Sequence, residues 1–309
     1  AGHSIDESAM PPLSFVGFFG MRDALRDGVK EAVERVRAAG MRVVMITGDH
    51  RLTAQAVARE ADIWRDGDTL LTGEEMDMLS DAALAKTLDR ARVFARVTPE
   101  HKLRIIRAFR ARGETVAMTG DGVNDAPSLI AADLGVAMGA IGTEVAKESS
   151  DIVLLDDNFA SIVSAAEEGR AIYKTIQKVV LYLFSTSAGE VMVIIGALAL
   201  GYPLPLLAAQ IIWLNVVTDG FLDVALAMEP KEAGLMRGTF KRPHKWIVDG
   251  LMAKRMFLMA APMAVGTLAL YHSYLASAGA EADMAKAWTI SLTTLAVFQW
   301  FNAWNCRSE

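Results

Sequence analysis

A chain of 309 residues is long enough for two domains, and its composition excludes an ordinary soluble protein. It is 52% hydrophobic, with a mean hydropathy of +0.27. The modest net charge of -6, without a basic stripe, excludes a nucleic-acid partner, and the single cysteine, Cys306, excludes an internal disulfide. The first residues form no signal peptide. Since the chain does not begin with Met, we expect a piece of a longer or processed protein.

Strand-like and helical patterns alternate over the first half of the chain. A strand is predicted over residues 14–21, a helix over 28–39, a buried strand over 41–46 and a second helix from about Leu52. This order is typical of βαβ units and predicts a doubly wound α/β domain. Further predictions are a turn-rich stretch over 64–71, one helical stretch over 72–90, strands over 93–95, 114–118, 134–138 and 151–155, a helix over 143–147, and a solvated cap at 156–158 before another helix.

The most informative stretch is residues 118–127, where a predicted strand ends in a glycine-broken turn. Open α/β sheets place their ligand sites at such strand ends. Asp121 and Asp125 offer oxygen ligands that suit Mg²⁺. Gly120 and Gly122 are expected to let the backbone bend where a Cβ would clash. An Asx-rich turn that caps the next helix is the alternative, but this density of acids favours a cation.

Two other features point to phosphate. Residues 47–49, Thr-Gly-Asp, follow a predicted strand and precede a helix, where they form either a simple N-cap or a phosphate site. Lys102 lies in the first turn of a helix that Thr98 caps and Pro99 begins. A cation there opposes the helix dipole unless an anion lies opposite. His101, its neighbour, is expected to be a surface residue.

The string at 118–127 resembles the hinge motif of P-type cation-transporting ATPases, whose phosphorylation domain has a haloacid-dehalogenase-like fold. Soluble phosphatases of that superfamily carry a shorter version, so the motif alone implies Mg²⁺ and phosphoryl chemistry. The resemblance implies a role for each residue: Mg²⁺ binding for Asp121 and Asp125, contact with phosphoryl oxygens for Lys102 and Thr47, close backbone approach for Gly48, anchoring of the loop for Asp49, and orientation of the site for Asn124.

Four apolar segments follow, at about 176–200, 204–228, 253–275 and 287–304, each near the roughly 20 residues that cross a bilayer. Positive charge precedes the first segment and fills the loop between the second and third. The positive-inside rule therefore places both chain ends and the α/β domain in the cytoplasm. We expect a phosphorylation domain over 1–170 and a four-helix transmembrane domain over 171–309. Positive residues of the loop include Lys231, Arg237, Lys241, Arg242 and Lys245.

Polar residues inside these segments predict a cation site, because ionisable groups in a membrane are costly and usually functional. Glu190 lies in the first segment, and Asp219 and Asp223 lie in the second. Gly220 indicates a break in the second helix. Interhelical hydrogen bonding is the alternative for the hydroxyl residues. The predicted site comprises three carboxylates and four neutral side chains: Glu190, Asp219, Asp223, Ser187, Asn215, Thr218 and Gln299.

Residues 187–191 and 213–220 resemble the fifth and sixth transmembrane helices of calcium-pump-like P-type ATPases. Ser187 stands where that pattern has Asn, Asp223 is an additional carboxylate, and Gln299 stands where calcium pumps carry Glu. Ca²⁺ is therefore favoured, while Na⁺, H⁺ and Mn²⁺ stay open. The resemblance implies Mg²⁺ and ATP as cofactors, the lipid bilayer and the remaining pump domains as partners, and a plasma-membrane location.

The sequence contains neither the Asp-Lys-Thr-Gly-Thr phosphorylation motif nor a nucleotide-binding domain. We therefore expect an ATP-driven pump whose phosphorylated Asp lies outside this chain, which alone is inactive. The alternatives are a membrane-anchored haloacid-dehalogenase-type phosphatase and a non-catalytic pump remnant. The phosphatase needs an Asp-x-Asp pair at the end of the first strand, and residues 19–23 contain none.

Overall fold

The α/β half of the chain is built, as predicted, of parallel strands and helices, but its strands form two separate sheets. The computed structural model describes residues 14–17, 24–238 and 247–307. The first sheet has the order β1-β3-β2 and the second the order β4-β5-β6, and all four pairings are parallel. The strands are β1 Met45–Ile46, β2 Thr69–Thr72, β3 Ala91–Ala95, β4 Ala117–Gly120, β5 Leu134–Met138 and β6 Ile152–Leu154.

Seven short α-helices accompany these strands in the described part of the chain: α1 precedes β1, and the other six connect one strand to the next. Their polar caps follow ordinary rules: Thr98 accepts from the N–H of His101, and Thr143 accepts from that of Ala146. Each helix buries one apolar face, as Ala32, Val33 and Val36 do in the first helix. The helices are α1 Val29–Ala38, α2 Arg51–Glu60, α3 Gly73–Asp77, α4 Asp81–Thr87, α5 Pro99–Ala111, α6 Ala126–Ala131 and α7 Glu144–Glu148.

The predicted first strand, 14–21, is not found in its described part. Residues 14–17 lie outside any strand, and Val16 is 98% exposed. An apolar run becomes a strand only where a neighbouring strand and a core cover it, and the described residues provide neither for Val16. The rest of the prediction, including the segment 19–23 considered for an Asp-x-Asp pair, lies outside the described residues.

Three other element predictions were wrong in extent. Of the strand predicted over 41–46, the structure pairs Met45–Ile46 alone, because Met41 donates its N–H back to Val36 instead of to a neighbouring strand. The stretch predicted as turns over 64–71 ends in β2, which pairs with the buried strand β3. The helical stretch predicted over 72–90 is divided into α3 and α4, since Ser80 caps a new helix at that point.

The two sheets lie side by side across a shared apolar core. Ile46 of β1 packs against the cluster that contains Met118 of β4 and Ile106 of α5. Ile46 also packs against the cluster around Phe94 of β3. The strands β1 and β4 are thus the neighbouring edges of the two sheets, and the carboxyl ends of both carry predicted site residues.

One helix, α8 Phe159–Ala199, joins the α/β half to the apolar half without interruption over 41 residues. At about 1.5 Å per residue such a helix is roughly 60 Å long. Near its start, Arg35 of α1 pairs with Glu167 at 2.8 Å. One turn later, Arg170 donates to the carbonyls of Ala39 and Leu235, each at 2.8 Å. The helix is therefore fixed to the α/β domain before it enters the apolar half.

The apolar half continues with α9 Ala208–Trp213, a π-helical segment Leu214–Asp219, α10 Gly220–Ala227, α11 Gly250–Ala278 and α12 Met284–Arg307. Three described helical stretches are long and apolar enough to cross a membrane: Phe159–Ala199, Ala208–Ala227 and Gly250–Glu281. The fourth predicted segment is helical in α12, but polar residues lower its hydropathy, so its transmembrane position stays a prediction. Lys241, Arg242 and Lys245 lie outside the described residues.

Small residues let these helices approach closely. A Cβ on Gly189 would lie 3.2 Å from Met263, and one on Gly196 would lie 2.5 Å from Leu268, both on α11. Close packing of this kind replaces the hydrophobic effect as the cause of helix association in lipid. It sets α11 directly against the part of α8 that carries Glu190.

Candidate functional sites

The turn after β4 is organised by an ion pair between Lys102 and Asp125. Their Nζ and Oδ1 atoms are 2.6 Å apart, and the two side chains are 19% and 8% exposed. The other oxygen of Asp125 accepts from the N–H groups of Asp121 and Gly122. Lys102, which the dipole argument allows only opposite an anion, has that anion in Asp125. Asp125 thus shapes the turn, while Asp121 and Asn124 are exposed at its surface.

The two glycines of this turn play different parts. A Cβ on Gly120 would lie 2.5 Å from the Asp125 Cβ, closer than real structures allow. A Cβ on Gly122 would lie 3.7 Å from its nearest neighbouring side chain, and Gly122 has an ordinary φ of -105°. The prediction of a clash was therefore right for Gly120 and wrong for Gly122.

The loop after β1 contains Thr47, Gly48 and Asp49. The Thr47 hydroxyl accepts from the Asp49 N–H at 3.1 Å, so the loop closes on itself as a small turn. Backbone bonds tie the loop to the end of β3, since Thr47 donates to the Phe94 carbonyl at 2.9 Å. Gly48 and Asp49 are exposed. The structure places this loop, like the turn after β4, at the carboxyl end of a parallel strand, where ligand sites form.

His101 is not the surface residue that the sequence suggested. Its side chain is 13% exposed, its Nε2 lies 2.8 Å from Asp77, and its Nδ1 accepts from the Thr98 N–H at 3.1 Å. His101 therefore caps its own helix and links α5 to α3.

Asp157 is a buried carboxylate that the sequence analysis treated as part of a solvated cap. It is 5% exposed, and it accepts three backbone N–H groups from the loop that follows β5. Burial alone would raise the pKa of Asp157, but these donors from Ala140, Ile141 and Gly139 lower it below its ordinary value. Its neighbour Asn158 caps α8 as predicted.

In the apolar half, the Glu190 carboxylate is 4% exposed and is held by amides. Gln299 Nε2 on α12 donates to Glu190 Oε1 at 2.9 Å, and the Asn215 side chain also hydrogen-bonds Glu190. Gln299 is fully buried, and its Oε1 has no hydrogen-bond partner among the described residues. A buried acceptor oxygen without a donor is costly, and it is the kind of group that a cation satisfies.

The Asp219 carboxylate belongs to a second group of contacts. Tyr182 donates to Oδ1 at 2.7 Å and Thr186 donates to Oδ2 at 3.2 Å. Both hydroxyl residues are buried on α8, and the sequence analysis named neither. Hydroxyls one helical turn apart on an apolar helix are the signal that could have indicated them. Another missed contact joins the same helix to α12, where Asn302 donates to the Ser185 hydroxyl at 2.7 Å.

The other predicted cation-site residues differ in how deeply they are buried. Thr218 is buried, and Asp223 is half-buried with Oδ1 unpartnered within the described part of the chain. Ser187 and Asn215 are exposed in this structure, so Ser187 does not face Glu190. Residues 14–17, 24–238 and 247–307 contain no group of three or more acidic, His or Cys side chains close enough to hold a metal. Within these residues, Glu190, Asp219 and Asp223 therefore do not form a closed cage of carboxylates in this structure.

The break predicted at Gly220 was wrong in its form. Gly220 has helical backbone angles, and the irregularity precedes it as the π-helical turns Leu214–Asp219. A π-helical segment widens the helix and changes which side chains share a face, and such segments are frequent at functional sites. It displaces Asn215 and Asp219 from the regular stripe that the sequence argument assumed.

Two protein families match this chain. The family described as haloacid dehalogenase-like hydrolase matches residues 5–133, which include the loops after β1 and β4. The family described as cation transporting ATPase, C-terminus, matches residues 203–309, which include α9 to α12. The first match confirms the predicted fold class of the α/β half.

Curated relatives cover almost the whole chain. The calcium-transporting ATPase of Bacillus subtilis is 41% identical over 98% of this chain and 34% of its own length. Calcium-transporting ATPase 1 of Saccharomyces cerevisiae is 40% identical over 98% of the chain and 32% of its own length. The probable cation-transporting ATPase F of Mycobacterium tuberculosis is 41% identical over 98% and 34%. The chain spans about a third of the length of these relatives.

Fold and sites together define a haloacid-dehalogenase-like domain that continues into a multi-pass helical membrane region. The chain belongs to the P-type cation-transporting ATPases and corresponds to part of such a protein. A solved catalytic domain of a CPx-ATPase covers 47% of this chain and 46% of its own at 26% identity, with a TM-score of 0.36, which is too low to bear on the fold.

Proposed function

We propose that this chain is the part of an ATP-driven cation pump that links phosphoryl transfer in the α/β domain to cation binding among the membrane helices. One observation carries the proposal. The buried Glu190, with the unpartnered Gln299 oxygen beside it, lies on the same unbroken helix whose first turns are fixed to the α/β domain. Ionisable groups buried in a membrane are usually functional. Here the helix that carries Glu190 begins at the haloacid-dehalogenase-like domain, so a movement of that domain can reach the buried carboxylate.

The turn after β4 fits Mg²⁺ through the exposed Asp121 carboxylate. Asp125 has both oxygens occupied by Lys102 and by backbone N–H groups, so it shapes the site and Asp121 is the direct ligand. Carboxylate oxygens together with water and phosphate oxygens are the usual surroundings of Mg²⁺. When bound, Mg²⁺ neutralises negative charge on a transferring phosphoryl group.

The remaining residues of the α/β site position the phosphoryl group of ATP. Lys102 directs its ammonium group to the strand ends, where phosphoryl oxygens are expected. The Thr47 hydroxyl and the Gly48 backbone offer hydrogen bonds in an exposed loop, and Asp49 holds that loop in its turn. Asn124 lies exposed beside Asp121 and orients the bound group. The Asp that accepts the phosphoryl group belongs to the remainder of the complete protein.

The membrane cation is held by two neighbouring groups of oxygens. One contains Glu190, Gln299 and Asn215, and the other contains Asp219 with Thr218 and Asp223 beside it. Hard carboxylate and amide oxygens suit Ca²⁺, which is the cargo we favour, whereas Na⁺, H⁺ and Mn²⁺ are the competing candidates. Ser187, exposed in this structure, joins the ligands only if α8 rotates during the pump cycle.

Partners of the chain are the lipid bilayer and the remaining pump domains. The neighbouring sheet edges β1 and β4 have unpaired outer sides in the described pairing, as expected if a strand from elsewhere in the protein completes the sheet. The α/β domain is cytoplasmic on the positive-inside rule, and we place the pump in the plasma membrane. No observation favours the phosphatase or the remnant.

The experiment that tests this function is phosphorylation of the complete protein from radiolabelled ATP at graded cation concentrations. We expect wild-type phosphorylation to depend on Ca²⁺ and Asp219→Asn to lose that dependence. Asp283→Asn, which changes an exposed acid directly before α12, is the matched control and keeps that dependence. If Asp219→Asn is phosphorylated with unchanged Ca²⁺ dependence, Asp219 is not a ligand of the transported cation. If phosphorylation of the wild type depends on Mn²⁺ or Na⁺ instead, that ion and not Ca²⁺ is the cargo.

A further inference from the structure

The loop between β5 and α7, residues 139–143, is held at both ends by backbone N–H groups. At its start, three consecutive N–H groups donate to the Asp157 carboxylate at 2.6, 3.0 and 2.9 Å. At its end, Thr143 donates to the backbone carbonyl of Asp121 at 2.8 Å. One short loop therefore contacts both the candidate Mg²⁺ turn and the residue that precedes the cap of α8.

Asp157 is held firmly at its end of this connection. Its backbone has a φ of 50°, which is unusual for a residue with a side chain, and its carbonyl accepts from Arg26. Two residues later α8 begins. Because the carboxylate is buried and takes three donors, a movement of the loop must either move the start of α8 or break these bonds.

The loop has little freedom to absorb a movement by itself. A Cβ on Gly139 would lie 2.6 Å from the Leu154 carbonyl, and one on Gly142 would lie 1.9 Å from the Met138 carbonyl. Both glycines pack against the backbone of β5 or β6. Closely packed segments transmit displacement instead of deforming.

We propose that Asp157 is a positioning residue that couples the turn containing Asp121 to the start of α8, and through that helix to Glu190. The inference rests on the proposed function, since the Mg²⁺ turn and the membrane cation site are the two ends of the connection. A shift of the Asp121 backbone passes to Thr143, along the loop to Asp157, and into the first turn of α8. Asp157 contacts neither phosphate nor cation.

Two substitutions break the connection at different points. Asp157→Asn keeps the shape but replaces one acceptor oxygen with an amide group that cannot accept a backbone N–H. Thr143→Pro removes the N–H that donates to Asp121, and the Thr143 φ of -69° already suits proline. Each variant keeps the inference testable if the other fails to fold.

Matched controls exist for both. Asp151→Asn changes another carboxylate that accepts one backbone N–H, from Gly135 at 2.8 Å, but at the opposite end of β5. Thr143→Ala removes the hydroxyl that caps α7 and keeps the backbone N–H. Both controls change local hydrogen bonding and leave the bonds of the connection intact.

The test is amide hydrogen exchange of the complete protein with and without Mg²⁺ alone, together with cation transported per ATP hydrolysed. In the wild type and both controls, Mg²⁺ slows exchange at residues 121–125 and at 158–161. In Asp157→Asn and Thr143→Pro we expect the first response to persist, the second to be lost, and the transport ratio to fall.

The outcomes separate the two proposals. A response at 158–161 that survives in both variants, or an unchanged transport ratio, overturns the coupling role and leaves the Mg²⁺ site standing. A wild-type protein in which Mg²⁺ slows no amide at 121–125 overturns the Mg²⁺ site itself, and the coupling role with it.

Discussion

Tyr182 donates its hydroxyl group to Asp219 Oδ1 across 2.7 Å, and both side chains are almost fully buried. Thr186, one turn further along α8, supplies a donor to the other oxygen of the same carboxylate. Asp219 therefore carries hydroxyl donors on both oxygens when no cation is present. These donors occupy oxygens that a bound cation would need.

The first prediction concerns that competition. Tyr182→Phe keeps the buried ring and removes the donor, so the cation-free state loses a hydrogen bond to a charged group. We expect cation binding to tighten by about ten- to a hundredfold, because such a bond contributes about 1.5–3 kcal/mol and each 1.4 kcal/mol is about a factor of ten. The measurement is the Ca²⁺ concentration for half-maximal phosphorylation of the complete protein.

Tyr271→Phe is the control for this prediction. Tyr271 is as fully buried as Tyr182, but its hydroxyl donates to the Pro203 carbonyl. The control variant is expected to keep wild-type Ca²⁺ dependence. Weaker binding in Tyr182→Phe would contradict the competition and would mean that the hydroxyl stays with Asp219 when the cation is bound.

The second prediction separates the two glycines after β4. Gly120→Ala places a Cβ against Asp125 and is expected to destabilise the α/β domain by about 1–3 kcal/mol, the usual cost of overpacking. Gly122→Ala meets no close contact and is expected to change stability by less than about 1 kcal/mol. Denaturant unfolding measures the free energy of unfolding of both variants. Equal losses in the two variants would contradict the prediction, because they would show that Asp125 moves away from the added Cβ at position 120 without loss of stability.

The third prediction concerns the Lys102–Asp125 pair. Lys102→Met leaves a buried carboxylate without its partner and is expected to cost about 2–4 kcal/mol of unfolding free energy. Lys147→Met is the control, since Lys147 pairs with the largely exposed Glu144 and an exposed pair contributes about 0–1 kcal/mol. If both variants lose the same stability, Asp125 does not depend on Lys102.

The fourth prediction is a pH dependence that Asp157 causes. Its folded-state pKa is lower than its ordinary value of 3.8, because the three backbone donors outweigh the effect of burial. Its contribution is therefore fully present above about pH 4 and is lost as the pH falls through the lower folded pKa. Asp157→Asn should reduce this acid-dependent loss, measured as unfolding midpoint against pH.

The control for the pH dependence is Asp151→Asn, whose carboxylate accepts a single backbone N–H from Gly135. We expect this variant to retain the wild-type slope below pH 4. An identical slope in wild type and Asp157→Asn would contradict the assignment of the effect to Asp157.

Much of this architecture could be predicted from local sequence, because glycine-broken turns after apolar runs have few structural alternatives. The strand β5 lies at 134–138 as predicted, and Thr98 caps α5 as predicted. The β2 strand was missed because turn residues surround it, and only pairing with β3 makes it a strand. Tertiary context decides such short elements.

The candidate sites show the same limit. Carboxylates and glycines at strand ends were identified because their chemistry is unusual there. Tyr182, Thr186 and Asp157 were missed because their partners lie 37, 33 and about 17 residues away in sequence. The π-helical turns before Gly220 were missed since a regular helix was assumed.

The central claim is that the buried membrane carboxylates hold the transported cation. The most direct measurement is ATP-driven uptake of radioactive Ca²⁺ into sealed vesicles that contain the complete protein, either wild type or Glu190→Gln. We predict uptake by the wild type and its loss in Glu190→Gln, with Asp283→Asn unaffected. Wild-type uptake by Glu190→Gln at equal protein level would contradict the claim.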